Sequence, residues 1–233
     1  MEIRWLGHSA FEIKLGGKTI LTDPFISGNP KAGVTLDQIT KVDYILLSHG
    51  HFDHVGDTVA LCKKCGAKLI APPELFIALS KLGVEGQFGN PGGWHDLGGV
   101  RVIMTSAVHS SGLGLDTGDI SYAGAPVGFV IEGEGKRIYF AGDTALAADL
   151  KLVIGEYFKP DVALLPVSGV FVMDPDQAAV AASWIKPRVV IPMHYNSLPF
   201  LPEIDTAAFS RLVTERAPGT RTVVLKPGES YKE

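Results

Sequence analysis

Ser48-His49-Gly50-His51-Phe52-Asp53-His54 is the most informative stretch of the chain. It follows an apolar run, Tyr44-Ile45-Leu46-Leu47, and precedes a helical pattern from Val55 to Cys65. The stretch is therefore predicted to be a loop at the C-terminal end of a strand. Three imidazoles and a carboxylate within six residues do not suit core packing, because every buried polar ring needs a partner. They suit a metal centre. Imidazole and carboxylate together match Zn²⁺, Mn²⁺ or Fe²⁺, and the loop holds no thiolate to select a softer ion. His49 and His51, alternate residues of an extended loop, can point to one side, while Asp53 and His54 can aim at a second position.

Around this loop the chain repeats itself. Phe11-Glu12-Ile13-Lys14-Leu15 alternates at period two, turns at Gly16-Gly17 and returns as Lys18-Thr19-Ile20-Leu21-Thr22, a β-hairpin pattern. Phe129-Val130-Ile131-Glu132, Gly133-Glu134-Gly135 and Lys136-Arg137-Ile138-Tyr139-Phe140 have the same shape. Lys18 precedes Asp43 by twenty-five positions, and Lys136 precedes Asp161 by twenty-five. Lys68-Leu69-Ile70-Ala71-Pro72 is echoed by Arg188-Val189-Val190-Ile191-Pro192. Two pseudo-repeated β-β-α-β halves, about 1–120 and 121–233, are expected. Half-sheets of this kind pack face to face with helices outside, an α/β four-layer αββα sandwich. No low-complexity linker separates the halves, so residues 1–233 are read as a single domain. Helices are predicted at Val55–Cys65, from Pro73 to Leu82, after the Asp174-Pro175-Asp176-Gln177 capping pattern, and from Asp205 to Arg216.

Composition narrows the class. The 233 residues carry 21 Lys+Arg and 25 Asp+Glu, a formal net charge of −4, with 46% hydrophobic residues and two cysteines. That is too apolar for a disordered chain and too poor in cysteine for a disulfide scaffold. It also lacks the basic excess of a dedicated nucleic-acid binder. There is no apolar run long enough for a membrane span and no signal-peptide pattern at the N-terminus, so a cytoplasmic protein is expected.

The His-x-His-x-Asp-His loop resembles the signature of the metallo-β-lactamase superfamily of dinuclear metal hydrolases. The later segments agree with that resemblance. Val100–Val108 leads to His109, Ile138–Gly142 leads to Asp143, and Val189–Met193 leads to His194. The resemblance implies the αββα fold and a site of two divalent metal ions, zinc first, with manganese or iron as alternatives. It places His49, His51 and His109 on one ion, Asp53, His54 and His194 on the other, and Asp143 as a bridge. It further implies a bridging hydroxide as nucleophile, since paired dications bring the pKa of a shared water towards neutrality, while the ion at Asp53 polarises the substrate oxygen. Asp143 also sits where it can cap a following helix. Asp23, in Leu21-Thr22-Asp23-Pro24, is expected to accept a hydrogen bond from a ligand histidine or to form a plain turn before Pro24. His8, in Leu6-Gly7-His8-Ser9, either faces the site as proton donor or substrate contact, or makes a structural bond. Tyr195 and Ser110 flank ligands and are possible substrate contacts. His95 is read as loop structure, and Cys62 and Cys65 as packing residues.

Asp143 stands where the antibiotic-cleaving lactamases carry cysteine, and His51 stands where the diiron-flavin branch carries glutamate. The Trp5-Leu6-Gly7-His8-Ser9-Ala10-Phe11 opening and Leu21-Thr22-Asp23-Pro24-Phe25 are similar to the ascorbate-6-phosphate lactonase-like group. The function these features point to is hydrolysis of a small lactone or carboxyl ester. The alternatives are a phosphodiesterase or nuclease acting on small nucleotides or single strands, and a non-catalytic metal-binding sensor. The expected partner is a small-molecule substrate, with no stable nucleic-acid or membrane partner and room for a homo-oligomer. Pocket walls are expected from the loops Ile26–Gln38, Gly83–Gly99, Ser110–Ala125 and Leu198–Ile204, because loops carry specificity on a rigid scaffold.

Overall fold

The computed structural model describes residues 1–233. Two seven-stranded sheets form its centre. The first runs, edge to edge, Ser230–Lys232, Glu2–Gly7, Ala10–Leu15, Lys18–Thr22, Tyr44–Leu46, Lys68–Ala71 and Gly86–Phe88. The second runs Arg221–Thr222, Val189–Met193, Val162–Pro166, Lys136–Phe140, Val127–Gly133, Val100–Ser106 and Trp94–Asp96. Their inner faces share one apolar core, in which Ile3, Phe11, Ile13 and Ile20 meet Val102, Phe129, Ile131 and Phe140. The Phe11 and Phe140 rings cross it edge to face, with centroids 6.5 Å apart. Helices cover both outer faces, completing the αββα sandwich.

The duplication is visible in the hydrogen bonds. Both predicted hairpins form, and each continues into two parallel strands. Ile20 pairs with Tyr44, and Ile138 with Val162, each residue of the second pair lying 118 positions after its counterpart. The Asp43 carboxylate accepts from the Thr19 amide at 2.7 Å, and the Asp161 carboxylate accepts from the Arg137 amide at 2.9 Å, at the same offset. The sheets do not divide at residue 120, however. Trp94–Asp96 and Val100–Ser106 already belong to the second sheet, and Ser230–Lys232 returns to the first. Strand Val100–Ser106 pairs along its whole length with Val127–Gly133, so its place is set by an antiparallel partner beyond the presumed boundary.

The helices mostly follow their caps. Asp174 accepts from the Gln177 amide at 2.8 Å and the Gln177 side chain accepts in return, opening Pro175–Ile185. Asp205 caps Thr206–Arg216 through the amides of Ala207 and Ala208. The predicted Val55–Cys65 helix is broken: a short turn, Phe52–Val55, ends at Gly56 (φ +38°), and the helix proper is Thr58–Cys65. The break lets the Asp57 carboxylate accept from the amides of Ile26 and Ser27. Pro73–Ser80 stops two residues short of the expected Leu82. The helix Leu150–Phe158 is not among those expected; Asp149 precedes it but makes no side-chain cap, and the helix is wound with wide turns and closed by Lys159 donating to Ile154 at 2.8 Å. No helix is long and apolar enough to cross a membrane.

Candidate metal centre

Every chemistry-bearing loop leaves the C-terminal end of a strand. His8 follows Glu2–Gly7, Asp23 follows Lys18–Thr22, and Ser48–His54 follows Tyr44–Leu46. His109, Asp143, Ser168 and His194 follow the strands ending at Ser106, Phe140, Pro166 and Met193. Because the two sheets present these ends to one side, residues as far apart in sequence as His8 and His194 converge, with ring centroids 4.0 Å apart. Three of them, His8 (φ +53°), Asp23 (φ +35°) and His194 (φ +59°), hold left-handed backbone. Side-chain-bearing residues seldom adopt it, and such strain gathers at functional sites.

Three overlapping groups of side chains result; Asp23 with His49 and His54 is one, and the other two carry the centre. His49, His51 and His109 form one, with His49 Nε2 3.0 Å and His109 Nε2 3.3 Å from His51 Nδ1. His8, Asp53, His54 and His194 form the other. Asp143 lies between them, its Oδ2 3.0 Å from His194 Nε2, 3.3 Å from His54 Nε2 and 3.5 Å from His109 Nε2. All seven residues expected at the centre are thus brought together.

The opposite nitrogens of His49, His51, His54 and His194 are tied outward. His49 Nδ1 is 2.9 Å from Ser48 Oγ, His54 Nδ1 is 2.6 Å from Asp23 Oδ2, and His194 Nδ1 is 2.9 Å from Ser168 Oγ. His51, turned the other way round, has Nε2 3.3 Å from Ser110 Oγ. Outward bonds of this kind fix ring orientation and tautomer in metal-binding histidines. Two buried atoms at the centre, His54 Nε2 and Asp143 Oδ1, have no hydrogen-bond partner in the protein. Buried polar atoms without partners are costly, and a donor set of imidazoles and carboxylates suits a divalent cation.

Electrostatics follows from burial. Burial pushes the His49 imidazole well below its ordinary value, and burial with His109 nearby takes His51 down to about 4. Burial also lowers His109. Around His54 burial is outweighed by Asp143, Asp23 and Asp53, which hold its pKa well above the ordinary value. Burial pushes Asp143 upward, but His194 and His54 more than offset it, so the carboxyl titrates well below the usual range. Asp53 is likewise lowered against its burial, by His54 and His8.

A cavity of about 300 Å³ opens over the centre, lined by His51, Asp53, His109, Asp143, His194 and Ser110, with Phe52, Leu115, Phe171, Phe200 and Leu201 as apolar walls. Ser110–Ala125 and Leu198–Ile204 contribute as expected, but Ile26–Gln38 and Gly83–Gly99 contribute nothing to it. Instead the loop after Val162–Pro166 brings Phe171. Its position after a strand's C-terminal end was the available signal. A larger cavity of about 500 Å³, at Trp94, Tyr157 and Phe158, holds none of the clustered histidines.

Of the two readings open for His8, the geometry matches the structural bond. His8 is fully buried and does not line the cavity. Its Nε2 lies 3.1 Å from Asp53 Oδ2 and its Nδ1 2.5 Å from Ser197 Oγ, so it stands behind Asp53 and touches no space a substrate can enter. Tyr195 is also removed from the cavity, stacked on Trp5 with ring centroids 5.2 Å apart. Asp23 accepts from a clustered histidine, as expected. His95 bonds Gln87 away from the centre. Cys62 is buried and Cys65 half-buried, both unbridged.

Fold and site together define a metal-dependent hydrolase built on the αββα sandwich. The chain belongs to the metallo-β-lactamase superfamily: the family described as the beta-lactamase superfamily domain matches residues 2–194. A UPF0173 metal-dependent hydrolase of Methanopyrus kandleri is 44% identical over 233 residues, covering 100% of both chains. A Geobacillus protein of the same description is 45% identical over 232 residues, again covering 100% of each. Among solved structures, Igni18, a metallo hydrolase from Ignicoccus hospitalis, superposes with a TM-score of 0.88 at 35% identity, covering 100% of this chain and 98% of its own.

Proposed function

We propose that the chain is a binuclear metal-dependent hydrolase of a small lactone or carboxyl ester. His49, His51 and His109 would hold one divalent ion, Asp53, His54 and His194 the other, and Asp143 would be shared. Zinc fits this donor set, and manganese and iron are accepted by the same groups. When bound, such ions polarise a carbonyl oxygen and acidify water. The chain's own residues do the rest. The outward bonds from Ser48, Asp23, Ser168 and Ser110 hold four imidazoles in register. Asp53, ionised and lining the cavity, presents a carboxylate that can accept a hydrogen bond from an attacking water and orient it.

The observation that supports this reading is the orientation of the rings: the outward nitrogens of His49, His51, His54 and His194 are tied, and the inward nitrogens of His54, His109 and His194 all lie within 3.5 Å of Asp143 Oδ2. Metal content should therefore be two ions per chain, with turnover of lactones or nitrophenyl esters in added Zn²⁺ or Mn²⁺. His51→Ala and Asp143→Ala should lose both. Cleavage of bis-nitrophenyl phosphate in preference to every ester would move the assignment to phosphodiesters, and metal uptake without turnover of either class would make the chain a metal-binding sensor.

A further inference from the structure

The cavity walls point to what the substrate carries away from its reacting bond. Of the residues that line the cavity, none is Lys or Arg, and the only charged side chains are Asp53 and Asp143 at its floor, among the histidines. Five of the eleven are large and apolar: Phe52, Leu115, Phe171, Phe200 and Leu201. Phe171 and Phe200 meet edge to face, with centroids 6.3 Å apart at 90°, yet remain 52% and 58% exposed. Aromatic rings left half in water at the mouth of a cavity gain by covering an apolar group.

The loops that carry these rings are fastened rather than loose. Phe171 follows Gly169 (φ +69°) and Val170 (φ +60°), two successive left-handed residues, and its amide donates to Gly169 at 2.6 Å. A β-branched residue such as Val170 is rarely left-handed. The loop is anchored on one side by Ser168, which bonds His194, and on the other by Met173, whose amide donates to Thr144. Phe200 sits in a loop closed by the Asn196 side chain, which accepts from the Ile204 amide at 2.8 Å and donates to its carbonyl at 3.0 Å. Ser197 ties that loop to His8. Both rings are therefore carried on loops closed by their own hydrogen bonds beside the centre.

We infer that Phe171 and Phe200 are the specificity-determining residues of this site. The substrate is an ester or lactone whose substituent remote from the reacting carbonyl is apolar and uncharged. A carboxylate or phosphate on that remote end would meet the apolar wall with no cation to pair it, a costly burial. This inference rests on the ester reading above. The contribution of the walls is measurable because each methylene taken out of water is worth roughly a factor of four.

The test compares nitrophenyl acetate, butanoate and hexanoate with the nitrophenyl monoester of adipate, which has the hexanoate length but ends in a carboxylate. In the metal-loaded chain kcat/KM should rise at least about tenfold from acetate to hexanoate and fall at least about tenfold from hexanoate to the adipate ester. In Phe171→Ala and Phe200→Ala the hexanoate-to-acetate ratio should collapse towards one. A second readout does not depend on turnover: calorimetric binding of a neutral hexyl-substituted γ-lactam to the metal-free chain, weakened at least about tenfold in the double variant. Lactam binding that depends on both rings, without turnover of any ester, would refute the ester reading and leave the inference standing for another neutral substrate. A flat chain-length series with the adipate ester equal to the hexanoate, or lactam binding unchanged in the double variant, would overturn the inference.

Discussion

His54 Nδ1 lies 2.6 Å from Asp23 Oδ2, and both side chains are wholly buried. Asp23 also accepts from the Ser48 amide at 2.8 Å and the Ser48 hydroxyl at 2.6 Å, so one carboxylate holds the start of the histidine loop and the far side of one of its rings. Replacing a group that orients a metal-binding imidazole weakens metal binding about 10–100-fold. Asp23→Asn should therefore lower Zn²⁺ affinity by that factor, read by competition with a chromophoric chelator. Asp23→Ala should add a loss of about 1–3 kcal/mol in stability for each buried donor left without an acceptor.

The matched carboxylates Asp43 and Asp161 give a prediction confined to the scaffold. Each accepts a backbone amide at the start of the corresponding parallel strand, and neither touches the metal centre. Asp43→Asn and Asp161→Asn should each cost at most about 1.5–3 kcal/mol, the range for a hydrogen bond to a charged group, since asparagine keeps an acceptor oxygen. The sites share no partner, so the double variant should show the sum. Urea midpoints measure both effects, and metal content should stay at the level of the unaltered chain.

These matched pairs show what could be read from the chain alone. Strand residues alternate or run apolar over short spans, so hairpins, parallel strands and their repeat leave a local imprint. The histidine loop does too, because its donors are neighbours in sequence. His109, Asp143 and His194 became legible through resemblance, since nothing local distinguishes Asp143 from a helix cap. Ser168 and Ser197, which tie His194 and His8, left no imprint, because an isolated serine after a strand has many uses. The sheet boundary was hidden for a similar reason. Strand Val100–Ser106 finds its partner across the loop 107–126, and pairing across that distance has no periodic signature. Asp23 and Asp143 each follow the second strand of a hairpin, but in hydrogen-bonding position the counterpart of Asp23 is Ala141: the Asp23 amide donates to Leu46 and the Ala141 amide to Leu164. Two further residues carry the second half on to Asp143.

His8 is placed to position Asp53, its Nε2 lying 3.1 Å from Asp53 Oδ2. With Ser197 Oγ donating to Nδ1, the neutral ring carries its proton on Nε2 and donates it to Asp53 Oδ2. His8→Ala should remove that restraint and leave Ser197 unpaired. Zn²⁺ affinity should fall about tenfold or more. His8→Gln, which retains a donor, should recover part of it, and Ser197→Ala should show a smaller loss in the same direction. Equal affinity in His8→Ala and the unaltered chain would remove this role.

Acid stability should be set by imidazoles kept neutral inside the protein. Burial, with His194 beside it, takes His8 down to about 4, and burial with His109 takes His51 to about 4. Each is protonated more readily when unfolded, near pH 6.5. Below that pH the unfolded chain binds more protons, so stability is lost as pH falls from about 6.5 towards 4. His54 works in the opposite sense. Its raised pKa contributes stability present below 6.5 and lost as pH rises through its folded value. The thermal midpoint of the metal-free chain should thus fall on acidification from pH 6.5 to 4, less steeply in His8→Gln. The raised His54 must also give up its proton to bind a metal ion, so calorimetry in buffers of different ionisation enthalpy should show proton release on Zn²⁺ uptake.

Gly142 sets the approach of Asp143, and its replacement separates backbone strain from contact. Its φ is +58°, and a Cβ there would stand 2.8 Å from the Val127 carbonyl oxygen and 2.9 Å from Ser48 Cβ. Gly17 has a similar left-handed φ of +73° but open space around it. Gly17→Ala should therefore show the dihedral cost alone, about 1–2 kcal/mol. Gly142→Ala should pay that and the contact as well, because neither the Val127 backbone nor Ser48, held by Asp23, is free to retreat. The strain has one outlet, a shift of the segment that carries Asp143. Gly142→Ala should then lose Zn²⁺ affinity along with stability, while Gly17→Ala loses stability only. A Gly142→Ala protein with unchanged affinity would show that Asp143 is held by its own contacts and owes nothing to the turn before it.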